Sequence, residues 1–185
     1  MTARQRLTLA RVLALLIVIL ISIYVFSIRD QAKELARYGL PGIFLLSILA
    51  NATVLLPAPG ILFVFSMGAI FNPLGVALAA AAGAAIGELS GYLAGFSGQG
   101  VVEKASVYQR INDLMTRRRH LSYLVIMVLA FIPNPFFDLA GLSAGALRMS
   151  VAPFLLFTFI GKFFKMLLFA LLGASAYEWF KGVNL

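Results

Sequence analysis

Cysteine is absent from this 185-residue chain, histidine and tryptophan occur once each, and the acids number seven. Without cysteine there is no disulfide, no thiolate nucleophile and no sulfur-ligated metal. The single histidine, His120, follows Arg117, Arg118 and Arg119, which suits a charged surface and not a metal cage or a Ser–His pair. An enzyme is therefore not expected, nor a bound metal or other cofactor. Charge is scarce as well: 12% of residues are charged and 62% are hydrophobic, which excludes an ordinary soluble domain. The net charge of +8 lacks the extended basic surface of a nucleic-acid-binding protein. It flanks apolar runs, where basic residues suit a membrane surface.

What the chain has instead is apolar length, in runs at 12–28, 41–71, 74–97, 121–147 and 150–176. Arg4, Arg6 and Arg11 precede the first run, which ends in Ser27-Ile28-Arg29 without a small-residue cleavage site. Residues 1–40 thus read as an uncleaved anchor helix followed by a short interfacial helix over 29–38, stopped by Gly39 and Pro41.

Two later runs are broken at their centres, at Pro57-Ala58-Pro59 and at Pro133-Asn134-Pro135. Proline has no N–H and drives its predecessor out of the helical region, so both places must interrupt a helix. The flanking arms, 42–56 with 61–71 and 121–132 with 136–147, would measure roughly 16–22 Å. None spans the ~30 Å hydrocarbon core. Each pair is expected to enter and leave the membrane on one face as a re-entrant hairpin, with its irregular backbone covered by protein or lining a cavity. Each hairpin leads into a spanning helix, Leu74–Ser97 or Val151–Ala176. The first of these carries Gly83, Gly87, Gly91 and Gly95 at a spacing of four, a ridge for close helix packing in lipid.

The halves repeat. Ser66-Met67-Gly68-Ala69 and Ser143-Ala144-Gly145-Ala146 follow their breaks at similar distances, and each precedes a long helix with an embedded charge. One crossing separates the hairpins, so the second must enter from the opposite face. The expected fold is an all-α integral membrane protein. It is an inverted repeat of two re-entrant helical hairpins, each followed by a transmembrane helix, plus the N-terminal anchor helix. Repeat 1 covers 41–97, an amphipathic loop 98–120, repeat 2 121–176 and a C-terminal tail 177–185. Arg4, Arg6, Arg11, Lys104, Arg110, Arg117, Arg118, Arg119 and Arg148 fall on one face, against Arg29, Lys33, Arg37 and Lys181 on the other. The positive-inside rule then puts the N-terminus in the cytoplasm and the C-terminus outside the cell membrane.

Glu88, Asp138, Lys162 and Lys165 lie inside apolar runs, each at a cost of roughly 2.5–3.5 kcal/mol if unpaired at mid-membrane. One reading is a buried ion pair, Glu88 with Lys165 or Lys162, locking the long helices together. The other is a polar path that meets an anionic head group or relays a proton. Tyr92 stands one turn from Glu88. Asn134 and Asp138 share a face of the second hairpin, where Asp138 could instead cap the helix after Pro135. Inverted repeats with broken helices place such sites at their interface near mid-membrane.

Gly87-Glu88-x-x-Gly91-Tyr92-x-x-Gly95-x-x-Gly98, followed by Ile132-Pro133-Asn134-Pro135 with Asp138-Leu139-Ala140-Gly141 and Gly145, resembles the DedA family, whose domain is called the SNARE-associated Golgi or VTT domain in eukaryotes. The resemblance covers residues 40–176 and implies two opposed re-entrant hairpins. It also implies movement of lipids between leaflets, as a scramblase or a carrier of undecaprenyl phosphate, with proton coupling in some members. Glu88 matches the family's acidic position on the first long helix, and Pro133 its second-hairpin proline. Many bacterial members have arginines around the second break, where this chain has Ala130 and Phe136. They also have a first-hairpin acid, where this chain offers Asn51.

The leading expectation is a flippase or scramblase of phospholipid or polyprenyl-phosphate lipid. Its path would be lined by Glu88, Tyr92, Asn134, Asp138, Arg148, Lys162 and Lys165, and its partners would be membrane lipids with anionic phosphate head groups. The alternatives are a proton- or ion-coupled carrier of a small solute and a non-transporting membrane scaffold.

Overall fold

The computed structural model of the chain describes residues 38–52, 60–102, 119–133 and 137–183, with helical positions at Gln5, Thr8, Leu9, Val12, Leu13, Leu16 and Leu20. The expectations for Pro57, Pro59, Asn134 and Pro135, for the interfacial helix and for the loop at 103–118 lie outside the described residues. So do those for the rest of the anchor.

The described elements are all helical: α1 Leu40–Ala52, α2 Gly60–Gly68, α3 Pro73–Gly87, α4 Leu89–Val102, α5 Arg119–Phe131, α6 Phe137–Ala146 and α7 Val151–Val183. Gly39 takes φ +69°, a left-handed turn that sets the entry to α1. Pro41 sits in the first turn of α1, where a missing N–H costs nothing. Asn72 caps α3, its side chain accepting from Leu74 N (3.0 Å) and Gly75 N (3.2 Å), with Pro73 at the first helical position.

Among the described residues two segments are long and apolar enough to cross a membrane, Pro73–Gly98 with 26 residues and Val151–Trp179 with 29. At 1.5 Å per residue these reach roughly 39 and 44 Å. The first span covers the helix expected over Leu74–Ser97, with a turn at Glu88 between α3 and α4. The ladder still crosses it, through Glu88 N to Ala84 O (3.1 Å) and Tyr92 N to Glu88 O (3.0 Å). The second span departs from expectation: α7 runs on to Val183, so most of the segment read as a tail extends the helix.

Packing register gives the course of the chain. An added Cβ on Gly83 would meet Phe44 O and Ser47 Cβ, and one on Gly87 would meet Ile48 O and Asn51 Cβ. A step of four on both helices means that α1 and α3 run side by side in the same direction. Gly75 lies against the Leu40 side chain and Gly39 against Phe71, so the chain enters α1 and returns to start α3 at one end. The second half behaves alike, with Tyr123 stacked on Phe157 (5.6 Å) and Gly161 over Met127 O and Ala130 Cβ. Hence α5 and α7 are also parallel.

The second arms cross over. α2 packs on α7 and α6 on α4, while α3 and α7 pack on each other. Gly68 sits on the Ala170 backbone and Gly173 on Phe65 O; Gly145 sits on the Tyr92 backbone and Gly95 on Leu142 O. In both pairs each glycine lies over the carbonyl residue three positions before the other glycine. Lipid-soluble helices gain little from burying apolar area against each other, so such backbone-to-backbone approach is what holds them together. The step that carries Gly83 to Gly161 and Gly95 to Gly173 therefore relates two halves built on one plan.

Candidate functional site

Glu88 stands where the first span is interrupted, and four helices converge on it. Its carboxylate Oε1 accepts from Lys162 Nζ on α7 at 2.6 Å. The same ammonium donates to Asn51 Oδ1 on α1 at 2.6 Å, and Asn51 Nδ2 donates to Ser47 O at 2.9 Å. On the other side, a Cβ added at Gly141 of α6 would lie 3.4 Å from Glu88 Oε2. Both long helices, with α1 and α6, thus meet at the Glu88–Lys162 ion pair. Glu88 and Lys162 are each 3% exposed.

The small residues explain why these charges can meet. Gly87 lets α1 approach until Asn51 reaches the ammonium, and Gly141 leaves room for the second carboxylate oxygen. The glycine ridge serves two neighbours: Gly83 and Gly87 receive α1, Gly95 receives α6, and the nearest neighbour of an added Cβ at Gly91 is Glu88 Oε2 at 3.9 Å. Lys162, one of the two lysines weighed as partners, pairs with Glu88. Lys165, one turn on, is 8% exposed.

Tyr92 is buried one turn past Glu88. Its hydroxyl donates to Met149 O at 2.6 Å, and its ring lies 5.6 Å from that of Phe154. The carbonyl it holds follows a Schellman end to α6, with Met149 N to Ala144 O and Arg148 N to Gly145 O, both 3.0 Å. Arg148 occupies the left-handed position of that motif at φ 51°, where glycine is usual. It is exposed, at the end of α6 and away from the buried pair.

Asp138 lies in the first turn of α6, within the helix and not at its cap; its side chain is outside the described residues, as is Asn134. Pro133 is exposed immediately after α5. Asn51 was legible only as a departure from the family pattern. An amide inside an apolar run was the available signal, and its role emerges from the contact with Lys162.

A sequence profile of the VTT domain matches residues 56–175. The vacuole membrane protein KMS1 of Arabidopsis thaliana is 45% identical over 49 residues, 26% of this chain and 12% of that protein. Vacuole membrane protein KMS2 of the same plant is 33% identical over 96 residues, 43% of this chain and 23% of that protein. The matched stretches thus amount to less than a quarter of either relative's length. No solved structure matches. The profile spans more than half of the residues and takes in Glu88, Lys162 and both glycine crossings, and the chain belongs to the VTT-domain family of membrane proteins.

Proposed function

We propose that this protein moves lipid head groups between leaflets of the cell membrane, as a flippase or scramblase. The observation that supports it best is the buried Glu88–Lys162 pair at the meeting point of both long helices with α1 and α6. A buried pair adds little net stability over apolar residues of the same size. Charges retained in an apolar interior are by default functional in membrane proteins. In this reading the hairpins are re-entrant and inverted, with the N-terminus cytoplasmic and the C-terminus external. An anionic head group exchanges places with Glu88 on Lys162, with Lys165 one turn away, and the acyl tails remain in the bilayer. Tyr92, Asn134, Asp138 and Arg148 complete the path.

The competing reading is a scaffold in which the pair only locks helices, favoured by the near-complete burial of both side chains. Purified protein in liposomes with fluorescent phospholipid and polyprenyl-phosphate reporters separates the two, with and without an imposed pH gradient. Wild type is expected to translocate, and Glu88→Gln or Lys162→Met to lose at least about tenfold in rate, the effect of about 1.4 kcal/mol on a barrier. Folded variants that translocate at the wild-type rate would reduce the pair to a lock. A wild type without lipid transport would end the proposal and leave the solute carrier or the scaffold.

A further inference from the structure

Two buried hydroxyls have no hydrogen-bond partner among the described residues, Thr158 Oγ1 and Tyr123 OH. Thr158 is 0% exposed and Tyr123 5%. An orphaned hydroxyl in an apolar interior is costly, and such groups call for an explanation. A helical threonine ordinarily satisfies itself on the carbonyl one turn back, which Thr158 does not. The contrast with Tyr92 is direct, since that hydroxyl has Met149 O.

Their position is specific. Tyr123 shares an apolar cluster with Tyr92 and Phe154 and stacks on Phe157, the neighbour of Thr158. Along α7, Phe154, Thr158 and Lys162 follow at one-turn spacing on the buried face. Thr158 therefore stands one turn from the ring that touches Tyr92 and one turn from the ammonium that holds Glu88. Lys165 is a further turn along. The orphans are hydroxyl donors, and the charged groups on the same helix face are ammoniums. That combination suits an anionic oxygen acceptor.

We propose that Thr158 and Tyr123 form a binding subsite for a phosphate ester oxyanion between α5 and α7, adjacent to the Glu88–Lys162 pair. This deepens the head-group reading above and rests on it for its biological meaning, though not for its test. The hydroxyls donate to phosphoryl oxygens, and Lys162 supplies the countercharge once the anion takes the place of Glu88 on it.

The test uses the full chain in detergent micelles. Thermal unfolding is followed against increasing inorganic phosphate and, separately, dihexanoyl phosphatidylglycerol below its micelle-forming concentration, for wild type, Thr158→Val and Tyr123→Phe. Tyr123→Phe deletes the hydroxyl and Thr158→Val replaces it with a methyl group, both at nearly constant shape. Without ligand they are expected to melt at or above the wild-type temperature, because an unpaired buried group has been removed. With ligand, the apparent dissociation constant is expected to weaken about tenfold, the loss of a hydrogen bond to a charged group. A shift with the lipid alone identifies a head group as the source, and a shift with inorganic phosphate alone identifies the free ion. No wild-type shift with either, or unchanged affinity in both variants, overturns the subsite. Lower melting of both variants without ligand also overturns it, since the hydroxyls would then be bonded within the protein. Binding is read without vesicles, so a wild type that binds but does not translocate removes the transport reading and leaves the subsite standing.

Discussion

At the scale of single residues, Lys162 has the most to lose. It holds Glu88 and Asn51 at once, both at 2.6 Å. Removing one member of a buried pair strands the other, at about 3–5 kcal/mol. Glu88→Gln and Lys162→Met are each expected to lower the melting temperature in micelles sharply. The double variant should recover much of that loss, because two neutral groups replace a stranded charge; a cycle of the four proteins measures the coupling. Asn51→Ala should cost less, about 1.5–3 kcal/mol, the value of one hydrogen bond to a charged group. Arg148 offers the opposite sign. At φ 51° a side chain pays about 1–2 kcal/mol that glycine does not. Arg148→Gly should therefore raise the melting temperature, and any accompanying loss of lipid transport would assign the exposed guanidinium a role in transport. Of this site, Glu88 and Lys162 could be read from sequence as charges in apolar runs. That Lys162 holds Asn51 together with Glu88 could not, because it follows from the docking of α1 through Gly87.

At the scale of elements, the glycine crossings decide whether the arms dock. Gly145 rests on the Tyr92 backbone and Gly95 on Leu142 O, whereas nothing lies within 4 Å of an added Cβ at Gly98. Gly145→Ala forces the backbones of α4 and α6 apart and is expected to cost about 1–3 kcal/mol or more. Gly98→Ala in the same span should be neutral or gain up to ~1 kcal/mol from helix propensity. Equal effects on melting in the two variants would mean that α6 does not rest on α4 through these contacts. The periodic glycines were visible in sequence, as were the arms and the long helices around them. The division of the ridge between α1 and α6 was not visible, because a spacing of four drifts about 40° per step around a helix and only tertiary packing sets which neighbour each glycine meets. The extension of α7 past Ala176 was equally hidden: aromatic and charged residues at 177–181 signal an interface without ending a helix.

At the scale of the whole molecule, the proposed re-entrant and inverted arrangement makes a prediction about sidedness. The chain contains no cysteine, so single cysteines report without background. Tyr38→Cys, before α1, and Arg148→Cys, after α6, replace exposed residues. In oriented vesicles a membrane-impermeant maleimide is expected to reach position 38 from the external side only and position 148 from the cytoplasmic side only. Labelling of both from one side would remove the inverted topology while leaving the packing intact. The relation between the halves was legible in sequence from the two S-x-G-A segments. What it omitted is that the halves are unequal where it matters most. The step that maps Gly83 onto Gly161 maps Glu88 onto Met166 and Ala84 onto Lys162, and Ala84 and Met166 both belong to an apolar cluster. Two halves of equal composition could trade roles with no change in energy, leaving a symmetric double well. If the proposed transport works by such an exchange, the ion pair on one side only makes the wells differ in depth and gives the transporter a preferred resting state before any substrate or gradient acts on it.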